Sequence, residues 1–84
     1  MEKYYLGLDI GTKWVYAALT DDKGNLLSGG KLPLREEAID LFIKHIPKEN
    51  IDATMEACGI WYPLYDYLRT RCNRVAVANP IKTK

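Results

Sequence analysis

Hydrophobic and polar positions alternate from Tyr4 to Ile10. Tyr4, Leu6, Leu8 and Ile10 share one face, and Tyr5, Gly7 and Asp9 share the other; a period of two is that of a strand. Gly11-Thr12-Lys13 makes a tight turn, and Trp14 to Thr20 is a second strand. Asp21 to Asn25 is a hairpin loop in which Gly24 or Asn25 takes a positive φ. Leu26 to Leu32 returns as a third strand, weakened by Gly29-Gly30, and Pro33 ends the meander. The period then changes. Leu34, Ala38, Leu41, Phe42 and Ile46 recur at helical spacing behind Glu36 and Glu37, predicting an amphipathic helix of roughly three turns. Pro47 closes it. Ile51 to Ala57 alternates again, with Ile51, Ala53 and Met55 set against Asp52, Thr54 and Glu56. Gly59 breaks that strand. Trp61, Leu64, Tyr65, Leu68 and Cys72 follow at helical spacing, with Pro63 in the first turn, and Val75 to Ala78 is a fifth strand. The order is βββαβαβ, which predicts an α/β chain with a mixed sheet and helices packed on it.

A strand–helix–strand unit makes its two strands parallel through a right-handed crossover. The ribonuclease-H-like superfamily has this arrangement, and so does one half of an actin-like ATPase. In both, the fourth strand lies beside the first. That placement would matter chemically. Asp9 and Glu56 each stand one residue from the end of their strands, and neighbouring strands lie about 4.8 Å apart. Two carboxylates that close repel unless a cation sits between them. Mg²⁺, a hard ion that prefers oxygen ligands, suits such a pair, as does Mn²⁺. Two acids do not complete a two-metal phosphodiester site, and the sequence after strand five offers no more. Each residue also has a plainer use. Asp9 can cap the Gly11-Thr12 turn, and Glu56 can lie on a wetted strand face. Trp61, Leu64, Tyr65 and Leu68 read as helix core, His45 as a surface residue and Cys58 as a small core residue.

Composition narrows the picture. At 84 residues the chain is one small domain or a piece of one, with 48 % hydrophobic and 27 % charged residues, a globular balance. The net charge of +1 hides an asymmetry: Arg69, Arg71, Arg74, Lys82 and Lys84 close the chain without a single acid, while the preceding 68 residues carry 7 bases and 11 acids. A basic end can meet a phosphate backbone or can simply be solvated. Cys58 and Cys72 form no CxxC pair and His45 is the single histidine, which argues against zinc. Two cysteines without a signal peptide suggest reduced thiols in a cytoplasm, and no apolar run is long enough for a membrane span.

Two stretches together resemble one family. The first is Tyr5-Leu6-Gly7-Leu8-Asp9-Ile10-Gly11-Thr12-Lys13, followed by Asp22-Lys23-Gly24; the second is Met55-Glu56-Ala57-Cys58-Gly59-Ile60-Trp61-Tyr62-Pro63-Leu64-Tyr65-Asp66-Tyr67-Leu68, running on to Val75-Ala76-Val77-Ala78-Asn79-Pro80. These are similar to the N-terminal region of the DEDD-type insertion-sequence transposases, whose catalytic domain is RuvC-like and ribonuclease-H-like. The resemblance covers nearly the whole chain, residues 1–84. It implies that Asp9 and Glu56 match the first two acids of the family's tetrad, catalytic and metal-binding, with Mg²⁺ or Mn²⁺ as cofactor. It implies DNA as partner, a structured guide RNA made by the element, a homo-oligomer, and a nucleoid-associated place in the cytoplasm. Lys13, Arg69, Arg71, Arg74, Lys82 and Lys84 are then candidates for nucleic-acid contact. The family's third and fourth acids and its serine-bearing domain would follow Lys84, so the expectation is a domain truncated after its fifth strand and inactive alone.

Gly11-Thr12 stands where that family more often has a serine-type residue. This makes the first motif similar also to the phosphate loop of actin-like kinases and to the start of RuvC-like Holliday-junction resolvases. A kinase lobe, a resolvase fragment and a non-catalytic interaction module with open sheet edges are the competing readings.

Overall fold

The computed structural model describes residues 3–57 and 62–78. The chain runs β1 (Tyr4–Ile10), β2 (Trp14–Asp21), β3 (Leu26–Pro33), α1 (Glu36–Ile43), a single 3₁₀ turn (Lys48–Asn50), β4 (Ile51–Ala57), α2 (Tyr62–Arg71) and β5 (Arg74–Ala78). The five strands form one mixed sheet in the order β3-β2-β1-β4-β5. β1, β2 and β3 pair antiparallel, whereas β1–β4 and β4–β5 pair parallel. This is the predicted βββαβαβ arrangement, with strand four beside strand one.

Alternation builds one buried face. Leu6, Leu8 and Ile10 of β1, Val15, Ala17 and Leu19 of β2, and Ile51, Ala53 and Met55 of β4 are all buried, with Val15, Ile51 and Met55 at 0 % exposure. Both helices pack on that face: Ile39 and Ile43 of α1, Leu68 of α2 and Cys72 just beyond it complete the same cluster. Each fully buried aliphatic side chain contributes about 1.5–3 kcal/mol. Burial pushes the Cys72 thiol up to about 11, with a smaller contribution from Asp52, as befits a side chain packed in the core. Cys58 and Trp61 lie outside the described residues.

The hairpin loop follows its predicted chemistry. Gly24 has φ +88°, and Asn25 does not enter the left-handed region. The Asp21 carboxylate accepts from the backbone of Lys23 and Asn25, both at 2.9 Å, and from the Asn25 amide at 3.0 Å.

The first helix differs from its prediction. It has 8 residues, about two turns, and its buried pair is Ile39 and Ile43. Leu41 is 65 % exposed and Leu34 36 %. The difference is one of orientation: the i, i+4 pair of isoleucines forms the edge turned to the sheet, and Leu41 stands away from it. Phe42 and Ile46 still pack at the margin of the core. The two helices are tied at their outer side, where Tyr67 Oη donates to Asp40 Oδ1 and the Arg71 guanidinium donates to the same oxygen at 2.8 Å. Among the described residues no helix is long and apolar enough to cross a membrane.

Candidate functional site

Among the described residues no helix lies on the other face of the sheet. Asp9, in β1, and Glu56, in β4, are direct partners in the parallel ladder. Residues paired this way project to the same side, with Cα atoms about 4.8 Å apart. Across the antiparallel ladders Asp9 faces Tyr16, and Tyr16 faces Lys31. One row therefore crosses the sheet as Lys31, Tyr16, Asp9, Glu56 and Ala78. The next row is made of small residues only: Gly29, Ala18, Gly7, Thr54 and Ala76. Between the rows lies a shallow cavity of about 400 Å³ whose lining includes Gly7, Asp9, Tyr16, Ala18, Thr54 and Glu56.

Electrostatics separates this acid pair from the third acid on the same face. Asp52, at the far end of β4, meets Lys3 Nζ at 3.5 Å and the Asn73 amide at 3.2 Å. Asp9 and Glu56 are both exposed, and neither has a hydrogen-bond or ion-pair partner among the described residues. Unpaired like charges on neighbouring strands repel, by at most about 1 kcal/mol in water at side-chain separations of ~5 Å or more. Asp9 does not cap the following turn, which is closed by the Gly11 N–H on the Trp14 carbonyl at 2.8 Å. A Cβ at Gly11 would stand 3.1 Å from that carbonyl, so the tight approach favours glycine.

The donor set suits a hard divalent ion, which takes carboxylate oxygens. It is only part of such a site: among the described residues no group of three or more His, Cys, Asp and Glu converges. Mg²⁺ completes its shell with water and substrate oxygens, so two carboxylates can hold it in part.

The basic candidates are dispersed. Lys13 sits in the β1–β2 turn, at the same end of the sheet as Asp9, and its carbonyl accepts from Leu34 N–H at 3.2 Å. Arg69 and Arg71 belong to the helical layer, stacked 5.7 Å from the Tyr65 ring and 5.0 Å from the Tyr67 ring. Arg71 is further held by Asp40, at 2.8 Å. Arg74 is on the open face beside Asp52, four residues or about 13 Å along the strand from the level of Glu56. Lys82 and Lys84 lie outside the described residues. Tyr16, Lys31 and Thr54 join the site without having been singled out in the sequence. The outward phase of β2, Trp14-x-Tyr16-x-Ala18, was the available signal.

No family description and no curated protein matches the chain. Its fold matches the crystal structure of an exopolyphosphatase from Cytophaga hutchinsonii, with a TM-score of 0.52 and 17 % identity over 94 % of this chain. The match spans 35 % of that protein's length. At this identity the likeness is one of fold, a mixed sheet of the ribonuclease-H-like and actin-like kind.

Proposed function

We propose that this chain is the front part of a metal-dependent DNA-cutting domain, of the kind found in DEDD-type transposases, with Asp9 and Glu56 as two of its metal-binding carboxylates. The observation that carries the reading is the direct pairing of Asp9 with Glu56 on neighbouring parallel strands. Asp52 shows how an ordinary acid on this face is satisfied, and the other two are not. A divalent ion bound there would neutralise the pair and supply Lewis-acid assistance to phosphodiester cleavage. Asp9 and Glu56 would hold and orient it from a rigid sheet, which positions ligands better than a loop does. Two carboxylates are only part of a two-metal set, and DNA, a structured guide RNA and further copies of the chain are the partners this reading brings with it.

A second reading has one observation behind it. The fold neighbour acts, by its name, on polyphosphate, and the Gly11 turn with exposed Thr12 and Lys13 can approach a phosphate chain. In that case the turn, not Glu56, would bind the substrate.

Mn²⁺ titration by isothermal calorimetry, on wild type and on Asp9→Ala, Glu56→Ala and Thr12→Ala, separates the two. Wild-type binding lost in both acid variants and kept in Thr12→Ala is the expected result. Mn²⁺ binding unaltered by Asp9→Ala would sink the proposed metal site. Tripolyphosphate binding that survives Glu56→Ala and fails in Thr12→Ala would favour the second reading.

A further inference from the structure

The open face carries large aromatics as well as acids. Tyr16 is 57 % exposed, Trp14 46 % and Tyr5 44 %, and each occupies the outward phase of its strand. Lys31 Nζ lies 4.8 Å from the centroid of the Trp14 ring. Tyr16 stands directly beside Asp9 and borders the 400 Å³ cavity, whose floor is Gly7, Ala18 and Thr54. The Tyr16 ring, a shallow floor of small side chains and the Lys31 ammonium thus share the stretch of open face that holds the acid pair, while Tyr5 lies at the level of Asp52.

The chemistry of a cover discriminates among occupants. A second copy or another protein element packed here would take Asp9 and Glu56 out of water, at a cost of several kcal/mol per ion unless it set a cation against each of them. A duplex keeps its base faces stacked inside and leaves the aromatics unused. An unpaired strand offers a π-face to each ring, phosphates to Lys31 and Lys13, and arrives with the divalent cations that the acid pair calls for. We infer that the open face seats single-stranded nucleic acid, with Tyr16 as the stacking platform beside Asp9 and Glu56. This rests on the metal-dependent reading above and narrows its substrate to a strand with accessible bases.

The test is fluorescence anisotropy of labelled oligothymidine, and of a duplex of equal length, with the 84-residue chain. Tyr16→Leu keeps apolar bulk without the π-face, and Tyr16→Phe keeps the face. The single strand is expected to bind more tightly than the duplex. Tyr16→Leu should weaken single-strand binding about ten-fold, while Tyr16→Phe stays within about two-fold. Tyr16 is exposed, so both variants should retain the wild-type circular dichroism and melting curve. Equal binding by Tyr16→Leu and wild type, or equal binding of single strand and duplex, overturns the inference. Repeating the titration in EDTA keeps the two proposals apart. A Tyr16 effect without any Mn²⁺ binding would remove the metal site and leave the stacking surface; Mn²⁺ binding without a Tyr16 effect would do the reverse.

Discussion

The same strands build both faces of the sheet, residue by alternate residue, and the two faces differ in every physical respect. On the helical side, Leu6, Val15, Leu19, Ile51 and Met55 are at most 2 % exposed and are closed over by Ile39, Ile43 and Leu68. On the open side, Gly7, Ala18, Thr54 and Ala76 leave a shallow trough, with Asp9 and Glu56 along one border and Tyr16 at its corner. Burial free energy is concentrated on one face. The other face keeps charge and aromatic surface exposed to water. Among the described residues nothing covers this half of the sheet, and an uncovered face forgoes burial that a small domain can ill spare. That sacrifice is intelligible where the uncovered half has something to bind.

Substitutions can break this contrast. The largest effect should come from Leu68→Ala, which empties a fully buried site on α2 in the core cluster and should cost about 2–5 kcal/mol in urea unfolding. Thr54→Ala, on the open face, should stay within about 0.5 kcal/mol. Comparable losses would mean that the open face is packed in solution. A smaller effect of opposite sign is expected for Glu56→Gln. Removing one of two unpaired like charges should stabilise the metal-free chain by up to about 1 kcal/mol at low salt, and the gain should shrink as ionic strength rises. A loss of stability would show that Glu56 has a favourable partner.

The smallest effect concerns the outer tie between the helices. The Arg71 guanidinium, and next the Tyr67 hydroxyl, hold the Asp40 carboxyl below its ordinary value of 3.8. A depressed folded value means that the contribution is fully present above about pH 4 and is lost as pH falls through the folded value. Both partners are well exposed, at 46 % and 40 %, so solvent screens the tie and it should contribute little. Asp40→Asn should therefore flatten the acid limb of the stability profile slightly and leave the neutral region little changed. An unaltered acid limb would show that the tie contributes nothing in solution.

Much of this architecture was legible in the chain itself. A period of two in β1 and β4 marks a strand wherever it occurs, and the positive φ at Gly24 follows from a residue without Cβ. The first helix is shorter than its periodicity predicts and turns another edge inward, because Leu34, Ala38, Leu41 and Phe42 make an equally apolar stripe. Only contact with the sheet selects the Ile39–Ile43 edge. The functional residues divide in the same way. Asp9 and Glu56 stood out as acids near strand ends, whereas Tyr16 and Lys31 had no local signal to separate them from ordinary outward residues.

What the sequence determined by itself was periodicity, turn chemistry and charge, since each depends on neighbours a few residues apart. Tertiary structure alone decided that Asp9 and Glu56, 47 positions apart, share one register of a parallel ladder. It also decided that both helices lie on one face, and that Arg69 and Arg71 belong to the helical layer and not beside the acid pair. Strand pairing and helix placement are set by long-range burial, and no local pattern encodes which face a helix will cover.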